Sequence, residues 1–97
     1  MYLLIRSPLA VVWEGDVVSV ESENPEGIFT ILPDHANFMT PLRDTDLIAK
    51  VADGTEKVFA LTNAVLYLQD NTIKVYVHDT REAATVESEE QQKSEGG

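Results

Sequence analysis

Apolar residues in this chain fall on alternate positions, and a period of two belongs to strands, not helices. Ile73, Val75 and Val77 alternate with Lys74, Tyr76 and His78, the pattern of a strand buried on one side. Val58-Phe59-Ala60-Leu61 and Val65-Leu66-Tyr67-Leu68 are unbroken apolar runs and read as central strands buried on both faces. Val17–Val20 and Ile28–Leu32 are rich in β-branched and aromatic residues, as strands prefer. Leu3–Ile5 and Val11–Trp13 extend the set at the N-terminus.

The breaks between these runs carry turn chemistry. Asp53-Gly54 separates Leu47–Val51 from Lys57–Leu61, and Asp70-Asn71 separates Leu66–Leu68 from Ile73–Val77. Both dipeptides suit the positive φ of a tight hairpin. Pro8, Gly15, Pro25-Glu26-Gly27 and Pro33 mark further breaks. The result is about nine closely spaced strand candidates, the signature of a sandwich or barrel. Leu47, Ile48 and Val51 also fit helical spacing, but that stretch is too short to hold as an isolated helix.

From residue 82 to residue 97 the character changes, with Ala83, Ala84 and Val86 the apolar residues among glutamates, glutamines and serines. Such a segment has no face to bury and reads as a disordered tail, so an ordered domain over residues 1–81 is expected.

Composition narrows the chemistry. The chain has 97 residues, enough for one domain, and no cysteine, which removes disulfides, thiolate nucleophiles and cysteine zinc sites. A formal charge of −10 opposes binding to nucleic acid and to anionic lipid. No apolar run approaches the roughly twenty residues a membrane helix needs. No glycine-rich phosphate loop occurs.

His35, beside Asp34, is the most suggestive polar residue. Neighbours on an extended backbone point apart, however, and one histidine with one aspartate is not a triad. Pro33–Asn37 reads as a turn whose polar side chains bind local backbone groups. His35 and His78 lack the spacing of metal ligands. Glu21, Glu23, Glu26, Asp44 and Asp46 fall in loops or strand ends, and a glycosidase would need two of them facing across a cleft. The expectation is no catalytic, metal or cofactor site. Trp13 and Tyr2 are expected in the core, although Trp13 and the edge strands leave open a free-standing carbohydrate- or peptide-binding module.

The order of motifs is distinctive. Ser7-Pro8 ends the first strand and Glu14-Gly15-Asp16-Val17 leads into another. Then come Gly27, Ile31, Leu32, Pro33, His35, Ala36, Thr40 and Leu42, followed by Leu61-Thr62-Asn63-Ala64-Val65-Leu66. Over residues 1–81 the chain resembles the epsilon subunit of F-type ATP synthases. The resemblance implies an all-β fold, a flattened β-sandwich of about ten mostly antiparallel strands. It also implies a non-catalytic central-stalk (rotor) subunit that couples the c ring to the gamma subunit. That subunit would lie peripherally on the cytoplasmic face of the bacterial inner membrane, without inserting into it. Glu26, Gly27, Ile28 and Phe29 would approach the c ring, with Glu26 toward an arginine of its loops. His35, Phe38 and Met39 would face gamma. Three departures stand out. Asn63-Ala64 replaces glycines, with Asn63 expected to supply positive φ, and Ile28 stands where the family often has a carboxylate. The C-terminal helix pair that carries inhibition and ATP sensing is not matched in residues 82–97.

Overall fold

A computed structural model describes residues 1–78 and the backbone of residues 85–86. The strands are β1 (Tyr2–Arg6), β2 (Val11–Asp16), β3 (Ser19–Asn24), β4 (Gly27–Ile31), β5 (Phe38–Lys50), β6 (Glu56–Gln69), β7 (Thr72–Val77) and the short β8 (Thr85–Val86). No helix occurs among the described residues, and Thr45 to Lys50 is strand. Hydrogen bonding follows the order β2-β1-β7-β6-β5-β3-β4, with β8 on β6. Every pairing is antiparallel except β1 with β7, which runs from Tyr2 opposite Thr72 to Arg6 opposite Tyr76.

The described strands are therefore fewer than about ten, and the reason is continuity. Phe38–Lys50 and Glu56–Gln69 are each one long strand where the breaks near Asp44 and Asn63 read as ends. Their ladder is interrupted between Arg43–Asn63 and Thr45–Leu61. Asp44 takes the positive φ there, 51°, and Asn63 does not, contrary to expectation. Residues 38–43 of β5 and 64–69 of β6 lie in a layer with β7, β1 and β2; residues 45–50 of β5 and 56–61 of β6 lie in a layer with β3 and β4. Contacts between strands of the two halves show the layers facing each other. Trp13 of β2 packs on Phe59 of β6 with ring centroids 6.0 Å apart, and Asn24 Nδ2 of β3 donates to Thr40 Oγ1 of β5 at 3.0 Å.

Between the layers lie Leu3, Ile5, Val20, Ile31, Leu42, Leu47, Phe59, Leu66, Ile73 and Val75, all fully buried. The alternation of β7 is as expected, but β6 is not buried on both faces. Leu66 and Leu68 are buried while Tyr67 between them is 41% exposed. A central position in the hydrogen-bonded order covers a strand's edges, and only a further layer covers its second face.

The motif residues have local reasons. Buried Ser7 accepts the N–H groups of Leu9 and Ala10, each at 3.2 Å, and so holds the turn from β1 to β2. At Gly15 a Cβ would stand 3.0 Å from Trp13 Cη2, so the glycine makes room for the ring that reaches Phe59. Asp70 and Asn71, both at positive φ, form the two-residue turn of the β6–β7 hairpin, as read from sequence. The β5–β6 turn is longer: Gly54 is at φ 93°, while Asp53 accepts from the Thr55 N–H at 2.8 Å. Apart from β8, the segment read as a tail lies outside the described residues.

Candidate functional site

The loop carrying His35 is built as a turn and fastened to the neighbouring hairpin. The His35 N–H donates to Leu32 O at 3.1 Å, with Asp34 at φ 67° between them. Two asparagines then exchange bonds across the gap: Asp34 N–H donates to Asn71 Oδ1 at 2.9 Å, and Asp70 N–H donates to Asn37 Oδ1 at 3.0 Å. Asn71 O also accepts from the Tyr2 N–H, so the start of β1 joins the same end of the fold. His35 Nδ1 meets Ala36 O at 2.7 Å, a contact that requires Nδ1 to be the donor and leaves Nε2 as the other ring nitrogen to act. Nothing in this arrangement orients His35 on a nucleophile. Its ring lies instead 5.3 Å from Phe38, which meets Phe29 edge-on at 5.8 Å.

The residues expected at the two interfaces are thereby regrouped. Phe29, Phe38 and His35 form one contiguous aromatic cluster. Glu26 occupies the turn at the opposite end of β4 from the His35 loop, and Gly27 begins the strand with φ 123°. Ile28 points outward and is 71% exposed. Met39 projects from the side of β5 opposite to Phe38, because successive strand residues alternate.

Met39 belongs to a surface that the apolar runs did not reveal. It stands opposite Tyr67, which neighbours Lys74 and then Leu4; in the next row Pro41, Val65, Tyr76 and Arg6 stand in line across β5, β6, β7 and β1. The Tyr67 and Tyr76 rings meet edge-on at 5.7 Å, and Met39 is 63% exposed. This outer face is apolar with Arg6 and Lys74 set into it. The signal was available in the tyrosines at the polar phase of β6 and β7, where a ring half in water suits an interface.

On the other layer, Glu21, Glu23, Asp44 and Asp46 line an open groove of about 500 Å³ with Ile28 and Ile48. Among the described residues no group of three or more His, Cys, Asp or Glu is placed to hold a metal ion. Trp13, half-buried over Gly15 and against Phe59, is committed to packing. Tyr2 donates to Glu14, and that bond, followed by desolvation and the nearby acids, raises the phenol above its ordinary pKa.

The chain is thus an all-β domain of two facing layers. It belongs to the family described as the ATP synthase delta/epsilon chain β-sandwich domain, whose model matches residues 1–83. An ATP synthase epsilon chain from Endomicrobium trichonymphae is 31% identical over 71 residues, 73% of this chain and 51% of that one. The chloroplastic epsilon chain of Marchantia polymorpha is 25% identical over 92 residues, 95% of this chain and 67% of its own. This chain spans about half the length of most of the curated relatives it matches. In fold it is similar to a chain of the Euglena gracilis mitochondrial ATP synthase, with TM-score 0.76, 13% identity and coverage of 91% of this chain and 56% of that one. A chain in the central stalk/c-ring structure of the Tetrahymena thermophila enzyme gives TM-score 0.66 at 18% identity, covering 80% and 63%.

Proposed function

We propose that this domain is a non-catalytic rotor element of an F-type ATP synthase, joining the gamma subunit to the c ring at the cytoplasmic face of a bacterial inner membrane. The observation that carries the reading beyond family membership is the outer face of β5, β6, β7 and β1. Met39, Pro41, Val65, Tyr67 and Tyr76 form a contiguous apolar surface, with Leu4 beyond Lys74, on a chain of charge −10. Apolar anchors ringed by polar residues are what a stable protein interface needs. Gamma covers this face, with Met39 at its edge and the Phe38–His35 pair continuing it around the end of the domain. The c ring meets the turn and first residues of β4, Glu26 through Phe29, where an exposed glutamate contributes at most about 1 kcal/mol to any single ion pair. The mechanical requirement is rigidity, and the Asn37 and Asn71 bonds supply it by tying separate loops into one end piece.

Co-assembly tests the reading. The full chain should copurify with gamma and, in membranes, with the c ring. Tyr67→Asp should lower gamma affinity at least about tenfold, as loss of an interface anchor does. Ile48→Asp on the opposite layer should leave it unchanged. A wild-type chain that binds neither subunit would refute the proposal.

A further inference from the structure

The two ends of the hydrogen-bonded strand order, β2 and β4, are finished differently. At β2 the pairing with β1 shifts register between Ile5 and Arg6, and the strand carries Glu14 and Asp16. Irregular register and charge are the usual means of blunting an edge. At β4 neither is present. Gly27-Ile28-Phe29-Thr30-Ile31 has no charge and no proline, and its register with β3 is unbroken from Val20–Ile31 to Asn24–Gly27.

That register shows which backbone groups are free. Asn24 and Gly27 close the two-residue Pro25-Glu26 turn, so they form a hydrogen-bonded pair. Antiparallel pairs alternate, so Ser22–Phe29 and Val20–Ile31 are hydrogen-bonded too. The N–H and C=O groups of Ile28 and Thr30 therefore point away from β3. Among the described residues no strand lies on that side.

The charge around this edge selects its occupant. Residues 19–37 contain Glu21, Glu23, Glu26 and Asp34 and no lysine or arginine, and the grooves beside them add Asp44 and Asp46, with Arg43 at the Pro25 end. Glu23 stands directly opposite Ile28 and Glu21 opposite Thr30, on the outer face and one strand in from the edge. A second copy would bring like carboxylates together, so self-pairing is disfavoured. A cationic strand would gain both the edge hydrogen bonds and the nearby carboxylates.

We infer that β4 accepts an extended, lysine- or arginine-bearing segment of a partner protein as an added strand. Its backbone pairs with Ile28 and Thr30, its cations reach Glu21 and Glu23, and its alternate apolar side chains cover Phe29. Edge geometry and charge carry this inference. Because Ile28 and Phe29 also belong to the surface proposed for the c ring, the added strand and the c ring would compete for β4. The peptide experiment, made on the chain without the c ring, tests the edge separately from the rotor assignment.

The experiment is amide hydrogen exchange of the full chain by NMR, with a short peptide alternating lysine and valine and its glutamate–valine counterpart. The lysine peptide should slow exchange at Ile28 and Thr30 about tenfold or more at saturation. Thr30→Pro removes an outward N–H without touching the ladder to β3, and should abolish the protection. Glu23→Lys keeps the edge intact and should weaken binding about five- to tenfold. Unchanged exchange at Ile28 and Thr30, equal binding of the glutamate peptide, or protection of β2 instead would overturn the inference. Concentration-dependent dimers held through β4 in sedimentation would overturn it as well. If Thr30→Pro does not fold, Glu23→Lys decides: affinity equal to wild type refutes the inference.

Discussion

Phe59 and Tyr67 lie on one strand, β6, and test one-sided burial against each other. Phe59 is fully buried and packs on Trp13, whereas Tyr67 is 41% exposed and touches Tyr76. A phenylalanine removes about 150 Å² or more from water, which at about 25 cal/mol per Å² is about 4 kcal/mol. Phe59→Ala should therefore cost about 3–5 kcal/mol, the range for deleting a core aromatic. With a urea m-value of about 1–2 kcal/mol/M the midpoint falls by roughly 1.5–5 M, or the chain fails to fold outright. Tyr67→Ala loses a partly hydrated cross-strand contact and should cost about 1 kcal/mol. Trp13, the single tryptophan, sits against Phe59 and reports the transition by fluorescence, with circular dichroism as a second probe. Equal losses for the two variants would refute the assignment of an inner and an outer face on β6.

Gly15→Ala places a Cβ 3.0 Å from the Trp13 ring, so the ring must move; the expected cost is about 1–3 kcal/mol with a changed Trp13 emission, and unchanged stability and spectrum would contradict it. Ser7→Ala removes the acceptor for the Leu9 and Ala10 amides and should cost about 1–2 kcal/mol by urea unfolding. The Asp53 carboxyl is held below its ordinary pKa first by the Thr55 hydroxyl and then by the Thr55 N–H. A folded value below the unfolded one means that its stabilisation is present above the unfolded pKa and is lost as pH falls through the folded pKa. In an NMR titration Thr55→Val should move Asp53 upward, and an identical curve would exclude the hydroxyl as the cause.

Local features of the fold were legible in the sequence because their causes are local. The period-two pattern of Ile73, Val75 and Val77 and the turn at Asp70-Asn71 depend on neighbours in the chain. The parallel pairing of β1 with β7 is a non-local contact, and no local signal in either strand specifies it. Continuity of β5 and β6 was hidden because Asp44 and Asn63 resemble terminators, while the structure uses Asp44 as a positive-φ interruption within a ladder. Tyr67 misled because an apolar run has the same composition whether its second face meets protein or water. Around the candidate site, the Pro33–Asn37 turn was readable from residue type. The union of His35, Phe38 and Phe29, and the separation of Met39 from Phe38, follow from strand alternation and from packing between layers. The bonds from Asn37 and Asn71 span more than thirty positions and leave no local trace.

In the proposed function, gamma covers the face bearing Met39, Tyr67 and Tyr76. Tyrosine modification with a nitrating reagent, read by mass spectrometry on the free chain and on its complex with gamma, tests it directly. The account predicts that Tyr67 and Tyr76 are modified in the free chain and protected in the complex, while the Asp53 turn stays equally open to hydrogen exchange. Equal modification of Tyr67 and Tyr76 in both states, with gamma demonstrably bound, would contradict it.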